Sequence, residues 1–262
     1  MVDISIIMGV YNCEDTLEES IDSIIKQTFK NWELIICDDG SSDKTYDIAN
    51  KYSKMYSEKI ILLKNSSNKG LNYTLNRCLK IANGKYIARM DGDDISLPNR
   101  LQKEIDILNN RIDIDIVSSS MIHFDENGDW KITKVNKEPK EEDFIFGTQF
   151  CHAPCMVRKE AYLSVNGYSE DKKLLRVEDY HLWVKMYSKG FKGINIEEPL
   201  YKMRDDKNAF KRRKFRYRLN ESYVKYIAFK SLNIKKRYAI YILKPIFIGI
   251  LPYRIYNFLR KK

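Results

Sequence analysis

In the first hundred residues, short apolar runs alternate with stretches in which apolar positions recur at helical spacing. Residues 3–8, 32–37, 59–63 and 86–90 are Ile-, Leu- and Cys-rich runs of strand length. Between them, residues 14–26 place Leu17, Ile21, Ile24 and Ile25 on one helical face, and residues 43–55 and 70–82 repeat that periodicity. Ser41 and Ser42 are candidate N-caps for the second of these helices. Asn83-Gly84 closes the third. Strand and helix alternating through short connections predict an α/β fold: a mostly parallel central sheet, Rossmann-like, with helices flanking it.

The pattern changes after a helix expected at 98–109. Strands are expected at 112–118, 121–124, 151–157 and 191–196, with a hairpin turn at Glu126-Asn127-Gly128-Asp129. A helix is expected at 178–189, closed by Gly190. Beyond residue 201 the chain reads as helical and carries no strand signal. The expected organisation is therefore one half-domain at 1–110, a second at 111–201, and a helical extension at 202–262.

Ligands of doubly wound sheets bind beyond the carboxyl ends of the strands. Three polar clusters fall there: Tyr11-Asn12 after Val10, Asp38-Asp39, and Asp91-Gly92-Asp93-Asp94. Three carboxylates in four residues repel one another unless a cation or hydrogen-bond donors hold them. A hard divalent ion is the natural partner, and such ions bring phosphates with them. Asp91 and Asp93 share one side of the chain if the strand geometry persists, and Gly92 permits close backbone approach. The same residues also read as an acidic turn ahead of Leu97-Pro98. The run from Asp38 to Asp43 reads equally as a ribose or base contact and as a strand-to-helix turn.

Hydrophobic residues make up 44% of the 262, which excludes a disordered chain. The net charge of +10 is unevenly spread. Residues 202–262 hold 19 Lys and Arg against 3 Asp and Glu, whereas the remainder holds 27 against 33. A basic extension points to an anionic surface. Its residues 210–218 interleave cations with aromatics, 238–251 are largely apolar but too short to span a bilayer, and 250–262 are amphipathic and basic. Charge and apolar side chains together favour the face of a membrane, and no nucleic-acid partner is expected. A pair of solvated helices covering the domain is the alternative. The chain starts directly in a strand pattern, so no signal peptide is expected. Five scattered cysteines fit a reduced, cytosolic setting.

Taken in order, Ile6-Ile7-Met8-Gly9-Val10-Tyr11-Asn12, Gln27-Thr28-Phe29, the run from Asp38 to Asp43, Asp91-Gly92-Asp93-Asp94 before Leu97-Pro98, His152-Ala153-Pro154 and Glu178-Asp179-Tyr180-His181-Leu182-Trp183 resemble the family 2 glycosyltransferases. The resemblance spans about residues 3–200. It implies a GT-A fold, a nucleoside-diphosphate-sugar donor (UDP favoured), a Mn²⁺ or Mg²⁺ cofactor, and inverting transfer to a glycan or lipid-linked acceptor. By similarity, Val10, Tyr11, Asn12, Asp39, Asn76, Asp91 and Gly92 would bind the nucleotide-sugar and Asp93 the metal. His152 would lie near the acceptor, and Trp183, one helical turn after Asp179, reads equally as a stacking face for an acceptor sugar and as core filling. Asp179, with Glu178 beside it, would be the base that takes the acceptor proton. Position 9 is Gly where the family usually has Pro, and the Arg often found before the position of Asn76 is absent. The absence of Gln-x-x-Arg-Trp points away from a processive synthase. A nucleotidyltransferase, a sugar-nucleotide sensor and a nucleic-acid-binding protein stand as rival readings.

Overall fold

The computed structural model describes residues 2–205 and 214–250. A nine-stranded sheet runs through the molecule. Its first part is β1 (Ile4–Val10), β2 (Trp32–Asp38), β3 (Ile60–Lys64) and β4 (Tyr86–Asp91), all parallel, in the order β3-β2-β1-β4. The intervening helices α1 (Leu17–Ile25), α2 (Thr45–Met55) and α3 (Leu71–Ile81) supply the crossovers. Strands β1, β2 and β4 are buried on both faces, as apolar runs without polar alternation require.

Strand alternation sorts the core into two layers. Ile4, Ile6, Met8, Leu34 and Ile36 face α1 and α2, together with α4 (Arg100–Asn110). Ile7, Ile35, Cys37 and Ile87 face α3 and the second half of the chain. That second layer includes α5 (Lys159–Ser164), α6 (Glu178–Ser188) and α7 (Phe215–Ser231).

The second half of the sheet is mixed. Strand β8 (Met156–Arg158) joins β4 antiparallel and links it to β6 (Ile116–Asp125). The long β9 (Gly193–Arg204) runs parallel to β6 and antiparallel to β5 (Ile95–Ser96), and β7 (Gly128–Ile132) forms the expected hairpin with β6. The two halves thus share one sheet, and no break separates residue 110 from 111.

Several expected bounds shift for local reasons. The runs expected at 112–118 and 121–124 give one strand, Ile116–Asp125, because β9 follows β6 through register irregularities around Ser120. Only three residues of 151–157 and its flank, Met156–Arg158, form a strand. Strand β9 continues past residue 201 to Arg204, so the extension begins later than its charge suggested. Helix α2 starts at Thr45, and neither serine caps it. Instead Ser41 Oγ accepts from the Asn12 N–H at 3.1 Å, and Ser42 N–H donates to Asn12 Oδ1 at 2.9 Å.

The basic extension is partly integrated. Val224 and Ala228 of α7 are fully buried, and Lys225 Nζ reaches the carbonyl of Ile145 at 2.7 Å. Burial lowers the Lys225 ammonium to about 8. The outer faces of α7 and of the short α8 (Lys244–Ile250) leave Phe215, Leu219, Tyr226, Phe247 and Ile250 exposed. The start of the cation-rich stretch at 210–218, and nearly all of 250–262, lie outside the described residues.

The turn into β4 depends on Gly84. A Cβ there would stand 2.4 Å from the Ser5 amide nitrogen and 2.8 Å from the Ile4 carbonyl carbon, both backbone atoms. Gly84→Ala is therefore expected to lower unfolding free energy by about 2 kcal/mol or more in urea titration, since β1 sits mid-sheet and cannot yield.

Candidate active site

The strand register assembles the site. Val10 pairs with Asp38, and Gly9 with Asp91, so the three polar clusters emerge side by side at one rim. Within β4, Ala88 and Met90 point to one core layer and Ile87 to the other. Arg89 and Asp91 continue the face of Ile87, toward α3 and the second half of the chain.

Arg89 is the centre of the arrangement. It is 3% exposed and grips Asp91 through two hydrogen bonds, at 2.9 and 2.6 Å. Burial alone works against its charge, and the Asp91 carboxylate more than offsets that, so its pKa rises. The same guanidinium acts electrostatically on Asp93, His152 and Asp179.

The DGDD turn is braced from several elements. A Cβ at Gly92 would meet Val10 Cγ1 at 2.8 Å and Cys13 Sγ at 3.0 Å, so only glycine lets the turn approach β1 so closely. Asp91 N–H donates to the Tyr201 hydroxyl at 3.1 Å. Asp94, 2% exposed, accepts from the Arg204 amide at 2.8 Å. Burial, with Asp91 and Asp93 nearby, pushes its carboxyl up to about 8. Arg204 also donates from Nε to the Asp93 carbonyl at 3.0 Å. Arg100, buried at the start of α4, donates to the Arg89 carbonyl at 3.0 Å and lies over the Tyr201 ring.

Asp93 differs from its neighbours. Its side chain reaches solvent and takes no hydrogen bond from another residue among those described. The loops around it still withdraw enough water to raise its carboxyl above the ordinary range, and Asp91 adds to this. No three His, Cys, Asp or Glu side chains form a ready-made metal cage among the described residues. A single free carboxylate fits a divalent ion that takes its remaining ligands from substrate phosphates and water.

The field of Arg89 also reaches His152 and the start of α6. His152 Nε2 is 2.7 Å from the Tyr168 hydroxyl, and burial and Arg89 keep the ring neutral. Asp179 is raised to about 6, first by burial and then by Glu178, while Arg89 opposes the rise. Glu178 Oε2 is buried without a partner.

Three of the expected site residues are engaged with the protein's own interior or loops. Trp183 is fully buried against Phe150 and His152, so its indole fills core and offers no face to a sugar. Asp39 is 4% exposed, and its oxygens accept from Asn65 Nδ2 and from the Lys69 and Gly70 amides at 2.7–2.8 Å. Those bonds fix the loop ahead of α3. Asn76 is fully engaged with the acceptor-side loop: Nδ2 donates to the Tyr168 carbonyl at 2.9 Å, and Oδ1 accepts the Tyr168 amide at 2.9 Å. Tyr11 stays exposed beside the rim, and Asn12 adopts a left-handed backbone at φ 49° that ties it to Ser41 and Ser42. An open cleft of about 480 Å³ lies between Gly40, Ser41, Lys64, Asn65 and Ser66.

A curled mixed sheet of this kind with flanking helices is the GT-A fold, as its solved structural neighbours bear out. The family described as Glycosyl transferase family 2 matches residues 5–165. The chain is 43% identical over 259 residues to the "Putative glycosyltransferase EpsE" of Bacillus subtilis (strain 168), covering 99% of this chain and 93% of that one. It is 32% identical over 242 residues to the UDP-Glc:alpha-D-GlcNAc-diphosphoundecaprenol beta-1,3-glucosyltransferase WfaP of Escherichia coli, covering 90% and 89%. Among solved structures, the mannosyltransferase PcManGT of Pyrobaculum calidifontis, in complex with GDP-Man and Mn²⁺, superposes with a TM-score of 0.69 at 17% identity, over 94% of this chain and 68% of that one. The chain belongs to glycosyl transferase family 2, and it is a glycosyltransferase.

Replacing Arg89 with Met leaves Asp91 without its partner. Unfolding free energy is expected to fall by about 3 kcal/mol in urea titration, and Arg89→Met with Asp91→Leu is expected to recover part of that loss.

Proposed function

We propose that this protein is a metal-dependent, inverting, non-processive glycosyltransferase. It moves a sugar from a nucleoside-diphosphate-sugar, with UDP the favoured carrier, to a hydroxyl of a lipid-linked glycan in polysaccharide synthesis. It works at the inner face of the cell membrane. The observation that carries this reading is the pair of carboxylates under the influence of the one buried Arg89: Asp93, with no side-chain hydrogen bond among the described residues, at the β4 rim and Asp179 at the start of α6.

The relatives support the substrate class. WfaP is named for a UDP-glucose donor and a diphosphoundecaprenol-linked acceptor. PcManGT was solved with GDP-Man and Mn²⁺, so the fold alone does not fix the base. Asp93 would hold Mn²⁺ or Mg²⁺, and a divalent ion supplies charge neutralisation for a departing nucleoside diphosphate.

The remaining chemistry belongs to the protein. The Arg89 pair neutralises Asp91 and leaves Asp93 as the rim carboxylate without a competing partner. Asp179 accepts the proton of the acceptor hydroxyl as that oxygen attacks the anomeric carbon from the face opposite the leaving diphosphate. Its raised pKa makes it a stronger base than an ordinary carboxylate while keeping it ionised near neutrality. His152, held neutral, packs edge-on against Trp183, one turn along α6 from Asp179. Asp39, through the loop it fixes, shapes the cleft that receives the nucleotide.

The extension supports membrane association. Among the described residues no helix is long and apolar enough to cross a bilayer. Exposed Phe247 and Ile250 instead sit beside Lys244, the arrangement of an interfacial patch.

Asp93→Ala is expected to abolish divalent-dependent release of nucleoside diphosphate, read with and without EDTA. Full release in that variant under EDTA would remove the metal assignment. Asp179→Asn is expected to lower kcat by about 10²–10⁴-fold with donor affinity unchanged. A base must be deprotonated to act, so wild-type kcat/KM is expected to fall about tenfold per pH unit below the Asp179 pKa of about 6. Arg89→Met should move that limb to higher pH, because the guanidinium's favourable field is lost. Phe247→Ser with Ile250→Ser is expected to reduce sedimentation with anionic vesicles, and raised salt should weaken binding of the wild type further.

A further inference from the structure

The segment leading into α6 contains a cation that the donor side and the candidate base leave unused. Arg176 lies three residues before Asp179, is exposed, and makes no hydrogen bond or ion pair among the described residues. Its backbone is left-handed, at φ 70°. The other two non-glycine residues in that region of φ are asparagines, which tolerate it. An arginine held there without a partner, next to the candidate base, has no packing reason for its identity.

Its surroundings continue onto α7. Asn220 Nδ2 donates to the Leu175 carbonyl at 2.9 Å, clasping this segment to the helix. Lys173 Nζ lies 5.9 Å from the centre of the Tyr223 ring. Leu219, Tyr223 and Tyr226, at i, i+4 and i+7, form one exposed stripe on α7, and Leu175 is 43% exposed beside it. Of the nearby carboxylates, Glu221 already has a cation of its own. Asp171 accepts the Lys173 amide, and Glu221 is paired with Arg218. An apolar track therefore runs to a pair of cations placed just before Asp179.

We propose that Arg176, assisted by Lys173, binds the diphosphate of an isoprenoid-diphosphate-linked acceptor, and that the Leu175–Leu219–Tyr223–Tyr226 surface carries the start of its hydrocarbon chain. The inference rests on the proposed lipid-linked acceptor. Charge and shape agree with this occupant. The forked guanidinium suits a diphosphate, the apolar stripe suits a chain, and their order delivers the sugar beyond the diphosphate toward Asp179. A soluble glycan acceptor would need neither feature.

The test is calorimetric titration of the full-length protein with farnesyl diphosphate, in saturating UDP and Mn²⁺ so that the donor pocket is filled. Farnesol and inorganic diphosphate serve as the two partial probes. Farnesyl diphosphate is expected to bind, and Arg176→Asn is expected to weaken it about tenfold or more. Asparagine tolerates the left-handed backbone, so folding is preserved, and Arg176→Lys should retain most of the affinity. Leu219→Ser with Tyr226→Ser should weaken farnesyl diphosphate but not inorganic diphosphate. Absence of binding to the wild type, or an unchanged affinity in Arg176→Asn, overturns the proposal. Loss of binding only when UDP is present assigns the probe to the donor pocket and overturns it as well. An equal weakening of Arg176→Asn on phosphatidylglycerol vesicles makes Arg176 a general membrane contact and likewise overturns it. Turnover of the donor is read separately, so failure of the transferase reading and failure of this site give different results.

Discussion

The buried pair between Arg89 and Asp91 is the interaction on which the rest of the site depends. A guanidinium inside a parallel strand is costly unless a carboxylate meets it, and Asp91, two residues on and on the same face, does so in bidentate geometry. That pairing settles how four nearby acids divide their work. Asp91 is neutralised, Asp94 is buried and tied to Arg204, Asp93 takes no side-chain hydrogen bond among the described residues, and Asp179, raised to about 6 by burial, is held down by the same guanidinium. One cation thus acts on both the DGDD turn and the start of α6.

The fold supplies the geometry for that division. Strands β1, β2 and β4 end in register, which brings the polar clusters to one edge, and β8 stitches β4 to the second half of the sheet. Helix α3 fastens the halves again. Asn72 bonds Ser169 and Asn76 bonds Tyr168 in one loop, and Tyr168 in turn bonds His152. A displacement on the donor side is thereby connected by hydrogen bonds to the neighbourhood of Asp179. The C-terminal helix α7 completes the second core layer with Val224 and Ala228, yet presents apolar side chains outward. It both packs on the domain and exposes a surface, so the two readings of the extension are compatible.

Much of this was legible in the residues. The strand and helix periodicity of the first hundred residues, the rim placement of the acidic turn and the hairpin at residue 128 follow from local pattern, because each depends on near neighbours. The helix opening at Glu178 was visible for the same reason. What escaped was non-local. The arginine in Ile87-Ala88-Arg89-Met90 was a signal, since a charge in a buried strand demands a partner, and Asp91 lies at the spacing that supplies one. The roles of Tyr201 and Arg204 could not be read, because they depend on β9 crossing to the DGDD turn from more than a hundred residues away. Asp39 and Asn76 are polar residues at the expected places whose side chains turn toward the protein's own loops. Sequence spacing fixes position along an element, but not which of two polar partners a side chain takes.

The most direct measurement is the anomalous signal of Mn²⁺ in crystals grown with a sugar nucleotide. If Arg89 divides the acids in this way, the ion lies against the Asp93 carboxylate with phosphate oxygens completing its shell, and Asp91 remains paired with Arg89. An ion bound elsewhere, or an Asp91 that has left Arg89 to ligate it, would contradict that division of roles.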